Sequence, residues 1–139
     1  MRATLINPDR TGRATVSAWI PEELATIAEA RELRIAPVRR DGTLRRPLPI
    51  WAVRAGDDVY VRAAYGPGTG WHRIARTSRQ AHVQAGGVER DVTIEEADEV
   101  VYDAVDEAYR SKYGRHSSIV DSITNAQARA TTLRLVPRA

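Results

Sequence analysis

The chain has 139 residues, enough to bury a core as one domain, and no cysteine, which excludes disulfides and thiolate metal sites. Its 21 basic and 18 acidic residues leave a net charge of +3 spread along the chain, which argues against a concentrated basic face for nucleic acid and for a small anionic ligand. No segment has the apolar run of a signal peptide or a membrane span, so a cytoplasmic protein that contacts neither membrane nor nucleic acid is expected.

Residues 1–18 are mixed and polar, with NPDRTG reading as turn chemistry, and predict a loosely held N-terminal arm. WIPEELATIAEARELRIA then opens a helix. Pro21 suits a first helical position, Glu22 and Glu23 complement the helix N-terminus, and Leu24, Ile27 and Ala28 form one apolar face. From Leu33 to Ile94 the period becomes alternating and turn signals recur. ELRIAPVRR, RRPLPIWAVRA, DVYVRAAY, WHRIART, AHVQAGG and VERDVTI read as strands, separated by RRDG, AGDD and GPGTG as turns. TIEEADEVVYDAVDEAYRSKYG predicts the longest helix, with Thr93 and Glu96 at capping-box spacing and Gly114 as its stop. Its apolar stripe is Ala97, Val100, Val101, Ala104, Val105 and Ala108, its acids are solvated, and Tyr102, Tyr109 and Tyr113 form a separate packing stripe. SSIVDSITNAQARA predicts another helix capped by Ser117, and TTLRLVPRA a final strand returning to the sheet. The whole, 1–139, reads as a single α+β domain.

Two stretches carry chemistry. GPGTG, read between two strands, is neither a dinucleotide fingerprint nor a Walker loop, since no Lys follows it and WHRIART has no helical period. Its glycines still allow backbone amides to face an anion, with Arg62 and Arg73 on either side to supply charge-assisted hydrogen bonds. In VRRDGTLRRPLPIWAV, Asp41-Gly42 is a hairpin signal flanked by four arginines. Pro47 and Pro49 remove backbone donors, which predicts an edge or irregular strand with groups of Leu48–Trp51 left to face a ligand. No zinc or iron set and no nucleophile elbow is present, and Asp91 is read as a salt-bridge partner rather than a site residue. Lys112 is the one lysine in the chain.

With RRDGTLRRPLPIWAV, DDVYVRAAYGPGTGWHRIART and the long helix in order, residues 33–94 resemble the flavin-binding split β-barrel superfamily, which includes pyridoxamine-phosphate oxidases and deazaflavin-dependent nitroreductases. The segments Ala85–Val92, Ala108–Gly114 and Thr132–Arg138 are similar to those of a small uncharacterised bacterial family within it. The resemblance implies a split barrel of about six to seven mostly antiparallel strands, with an N-terminal helix and two helices in the C-terminal half. It also implies pairing into a homodimer, and FMN or a deazaflavin in the groove between barrels. Carried over by position, Pro49, Ile50, Trp51 and Trp71 would line the ring. Tyr65, Gly66, Arg73 and Arg62 would lie near the phosphate, with Arg39 and Arg46 as weaker candidates. His72 is the one candidate proton donor, because its ordinary pKa lies nearest neutrality. The implied activity is hydride transfer to a small acceptor, aromatic ones included, by a flavin- or deazaflavin-dependent reductase. The superfamily's Lys or Arg-x-Lys phosphate pattern is absent here. That leaves open a cofactor-free split barrel that binds a small ligand, or a scaffold dimer without redox activity.

Overall fold

The computed structural model describes residues 18–64, 66 and 68–138; the expected N-terminal arm, Ala18 apart, and Tyr65 lie outside the described residues. Helix α1, Pro21–Glu29, starts where the sequence signals place it. Pro21 takes a first-turn position, and the Glu23 carboxylate accepts from the Ile20 amide at 3.1 Å, satisfying a donor the helix leaves unpaired. Leu24 and Ile27 face inward.

Seven antiparallel strands follow: β1 Leu33–Pro37, β2 Leu48–Ile50, β3 Ala52–Ala55, β4 Asp58–Val61, β5 Gln80–Ala85, β6 Val88–Glu96 and β7 Leu133–Pro137. Their order is β2-β1-β5-β6-β7-β4-β3. The two edge strands, β2 and β3, are therefore separated in sequence by Trp51 alone. One residue spans at most about 3.6 Å, so the sheet has to roll until its edges meet, and a nearly closed barrel results. The β5–β6 hairpin turns through Gly86 and Gly87, both with positive φ (55° and 92°), the geometry of a tight two-residue loop. Gly86 has a second constraint: a Cβ there would come within 2.8 Å of Thr26 on α1.

Alternation along the strands fills the barrel. Leu33, Ile35, Val59, Val61, Val83, Val92, Ile94, Leu133 and Leu135 form one buried cluster, to which α1 adds Leu24 and Ile27. Full burial of each such side chain contributes roughly 1.5–3 kcal/mol relative to exposure. A second cluster lies on the outer side of β3 and β4. There Val53 and Tyr60 meet Val105, Tyr109 and Tyr113 of helix α3 (Tyr102–Tyr113) and Ile123 of α4 (Ser117–Thr124). A short α5, Ala126–Arg129, leads into β7. Among the described residues no helix is long and apolar enough to cross a membrane.

Four local expectations are corrected. WHRIART is not a strand but the body of helix α2, Gly70–Ser78, so GPGTG runs from a strand into a helix. RRPLPIWAVRA is not one strand but two, broken at Trp51, which restores the count to seven. The capping box at Thr93 and Glu96 does not form. Both belong to β6, and a 3-10 turn at Glu99–Val101, capped by the Asp98 carboxylate on the Val100 amide, leads into α3. Ser117 opens α4 as its first residue without acting as a side-chain cap. The buried stripe of α3 is also the tyrosine stripe. Val100 is 80% exposed and Ala104 is exposed, whereas Val105, Asp106, Tyr109 and Tyr113 are buried.

Candidate functional site

Where β2 ends and Trp51 crosses to the other sheet edge, the ladder is interrupted and backbone carbonyls lose strand partners. Helix α3 supplies replacements. The Tyr109 hydroxyl donates to the Trp51 carbonyl at 2.7 Å, and the Lys112 ammonium donates to the carbonyls of Ala52 (2.6 Å) and Ile27 (3.1 Å). The Tyr113 hydroxyl donates to the Arg31 carbonyl at 2.7 Å, and its ring tilts against Trp51. The seam is thus held rigid from outside, and the Trp51 carbonyl is not left to face a ligand as expected. Burial raises the Tyr113 phenol to about 12 and lowers the Lys112 amine to about 8.

Inside the seam lies a cleft of about 290 Å³, bounded by Leu48, Pro49, Ile50 and Trp51 on one wall and by Thr69 and Trp71 on the other. The second edge of β2 has no strand partner, so its backbone borders the cleft. Gly66 turns the chain toward α2 at φ +91°, a left-handed conformation that favours glycine. The Thr69 hydroxyl donates to the Gly66 carbonyl at 2.8 Å instead of capping the helix. The first-turn amides of α2, from Gly70 to His72, consequently have no acceptor among the described residues. Unpaired amides at a helix N-terminus carry partial positive charge and suit an anion.

Arg62 forms part of the floor, yet four of its five N–H donors are engaged. Nε donates to Thr132 Oγ1 at 2.8 Å, one Nη to Asp106 at 2.5 Å and the Ile123 carbonyl at 3.0 Å, and the other to the Tyr102 carbonyl at 3.2 Å. At 1% exposure it is a buried anchor between β4 and the helices, not a free phosphate ligand. Asp106, read from the sequence as solvated, is its buried counter-charge, and Arg129 lies 3.1 Å from its second oxygen.

His72 is likewise corrected. It is 1% exposed, and its Nε2 lies 3.0 Å from the Thr131 carbonyl. A carbonyl only accepts, so the proton sits on Nε2, and burial holds the imidazole pKa below its ordinary value. Its proton is committed to the fold and unavailable to a ligand. Trp71 packs edge-on against it.

Arg73 leaves the group altogether. It is exposed and lines a different cleft on the other side of α2, with Arg39, Arg40 and Gly42 of the hairpin after β1. Arg46 is exposed and lines neither cleft. The structure therefore brings together Pro49, Ile50, Trp51 and Trp71, with Gly66 at the adjoining turn and the buried Arg62 beneath them, and separates them from Arg73, Arg39 and Arg46. Asp91 does find a partner, His82 across the β5–β6 ladder (2.9 Å) rather than its neighbour Arg90, and the contact is an ion pair when the imidazole is protonated. Sequence reasoning missed Thr69, hidden inside the glycine run, and Asp106 and Lys112, whose partners lie far away in the chain.

No curated protein matches this chain in sequence. Solved structures share the fold, among them these three. The haem storage protein HutZ from Vibrio cholerae superposes with a TM-score of 0.63 at 17% identity, covering 86% of this chain and 89% of its own. An FAD-binding protein from Mesorhizobium loti gives 0.55 at 17% identity, covering 90% and 94%. A conserved hypothetical protein from Mycobacterium tuberculosis gives 0.55 at 14% identity, covering 91% and 84%. These likenesses establish the split β-barrel. Residues 23–135 match the model of the family described as an uncharacterized protein conserved in bacteria (DUF2255), and the chain belongs to that family.

Proposed function

We propose that this protein binds a flavin-type cofactor, FMN or a deazaflavin, in the Trp51–Trp71 cleft, and that it works as a homodimer transferring hydride to a small acceptor. The observation that carries the reading is the juxtaposition of an unpaired strand edge and two tryptophans with the open first turn of α2. A flat ring is accommodated against Pro49, Ile50 and Trp51, while the amides of Gly70 and Trp71 and the Gly66 turn suit its phosphate. A bound flavin supplies the hydride chemistry, and the chain's own residues orient it and keep water away. The fold relatives support the reading at the level of ligand class, since one is described as FAD-binding and another as storing haem. A cleft of about 290 Å³ lies just below the ~300–1,000 Å³ usual for ligand sites. A second copy of the chain would complete its wall.

A second reading has its own support. Among the described residues the one cation lining the cleft is Arg62, already paired with Asp106, and Glu32 adds a negative charge. That balance suits a barrel that has given up the cofactor and holds an uncharged small ligand or serves as a scaffold dimer.

Absorbance of the freshly purified protein, followed by tryptophan-fluorescence titration with FMN and with a deazaflavin, separates the two. A flavin spectrum, or micromolar binding of either compound, supports the first. A colourless protein that binds neither sinks it. Gel filtration at micromolar concentration should give a dimer, and a monomer would remove the pairing from both readings.

A further inference from the structure

The larger of the two clefts has no part in that reading. It measures about 660 Å³, more than twice the volume of the tryptophan cleft, and lies between the hairpin that follows β1 and the outer side of α2. Val38, Arg39 and Arg40 come from the hairpin, Arg73, Ile74 and Thr77 from the helix. Several arginines elsewhere are matched to acids within 4 Å, among them Arg54 to Asp57, Arg62 to Asp106, Arg90 to Glu23 and Arg134 to Glu95, whereas Arg31, Arg34 and Arg46, which are likewise unmatched among the described residues, lie outside this cleft. Arg39, Arg40 and Arg73 have no acidic partner among the described residues.

Two acids on adjoining segments are occupied elsewhere. The Asp41 carboxylate is turned into its own loop, accepting from the Thr43 amide (3.0 Å) and hydroxyl (2.7 Å). Glu96 is held by Arg79 at 3.1 Å and Arg76 at 3.7 Å. Arg39 is pre-positioned, because one Nη donates to the Leu44 carbonyl at 2.9 Å and to Thr43 Oγ1 at 3.5 Å, which leaves Nε and the other Nη for a ligand. The Gln80 side chain accepts from Arg138 through its oxygen, which leaves its amide donors for the cleft. Val38 and Ile74, both half-buried, provide an apolar surface beside this charge.

We infer that this cleft is a second ligand site, specific for a small organic phosphate monoester. One guanidinium fork saturates a carboxylate, whereas three around a single cleft match the larger charge and three oxygens of a phosphate. Val38 and Ile74 take the organic part. The site stands independently of the cofactor reading, since it shares no lining residue with the tryptophan cleft.

Calorimetric titration of the full chain with phenyl phosphate and with inorganic phosphate, at constant ionic strength, tests it. Phenyl phosphate should bind several-fold more tightly than inorganic phosphate. Arg73→Ala and Arg40→Ala, both at exposed positions, should each weaken binding about tenfold, the usual loss for a charged hydrogen bond. Arg110→Ala, exposed on α3 outside the cleft, should leave it unchanged. Binding of phenyl phosphate that survives both cleft substitutions overturns the site, as does a response that chloride reproduces at the same ionic strength. FMN is itself a phosphate monoester, so riboflavin, which lacks the phosphate, probes independence: where it binds, saturating riboflavin should leave phenyl phosphate affinity within about twofold; mutual exclusion would merge the two sites and defeat the inference. Failure of riboflavin to bind leaves the phenyl phosphate titration intact.

Discussion

Helix α2 borders two clefts of opposite character. On one side Trp71 and its N-cap residue Thr69 face the apolar wall of Leu48–Trp51; on the other, Arg73, Ile74 and Thr77 face the arginine-bearing hairpin. The arginines separate the two most sharply. Arg62, under the apolar cleft, is enclosed and bound by side chains and carbonyls from α3, α4 and the segment before β7, so its charge serves the fold. Arg40 and Arg73 are exposed and unmatched, so theirs is available to a ligand. Residue type therefore does not decide whether an arginine builds a site; whether an acid has already claimed it and whether a cleft lies beside it do.

The largest effect should come from breaking the floor of the apolar cleft. Asp106→Ala leaves Arg62 buried without its counter-charge and should destabilise the protein by about 3–5 kcal/mol, read from urea unfolding. An exposed pair such as Arg134–Glu95 should contribute under about 1 kcal/mol to the same assay. Next, Trp51→Ala should weaken flavin binding about tenfold, through loss of one aromatic wall worth about 1.5 kcal/mol, and leave phenyl phosphate binding untouched. Equal losses of both ligands would erase the distinction between the clefts.

Arg73→Ala sharpens the comparison from the other side. Its transfer to the second cleft predicts flavin affinity within about twofold of the parent and stability within about 0.5 kcal/mol. A tenfold loss of flavin would return Arg73 to the cofactor site that its place in the sequence suggested. The smallest effect lies outside both clefts, at His82, whose pKa is raised by its hydrogen bonds to Asp91 and then Glu89. A folded pKa above the unfolded 6.5 means stability fully present below pH 6.5 and lost as pH rises through the raised value. His82→Gln should flatten the melting temperature over that window, and an unchanged slope would discount the cluster.

Much of the barrel was legible in the chain. Val59, Val61 and Ala63 alternate and are all buried, and the Asp41-Gly42 and Gly56-Asp57 signals each mark a turn, while Gly86-Gly87, read as the end of a strand, forms the β5–β6 turn. The helix at α2 was not legible, for two local reasons. Its buried face includes His72, which reads as polar, and it ends on Arg79 in the left-handed conformation (φ +60°) where glycine is the usual signal. Of the site, the apolar wall at Pro49–Trp51 and Trp71 came through, because a proline-broken edge strand and a tryptophan after a glycine loop are local features. Its charged members did not, because the roles of Arg62 and Arg73 depend on what surrounds them.

By itself the sequence determined the alternation that makes the strands, the turns that join them and the start of α1, all of which rest on steric and hydrogen-bonding preferences within a few residues. The tertiary structure decided the rest. Rolling the sheet made Trp51 the seam between its edges, and the orphaned carbonyls there turned the tyrosine stripe of α3 inward. Arg62 became an anchor because Asp106 and Thr132, 44 and 70 residues along the chain, came to meet it. A buried charge is stable only with its partner in place, and the fold alone brings such distant partners within reach.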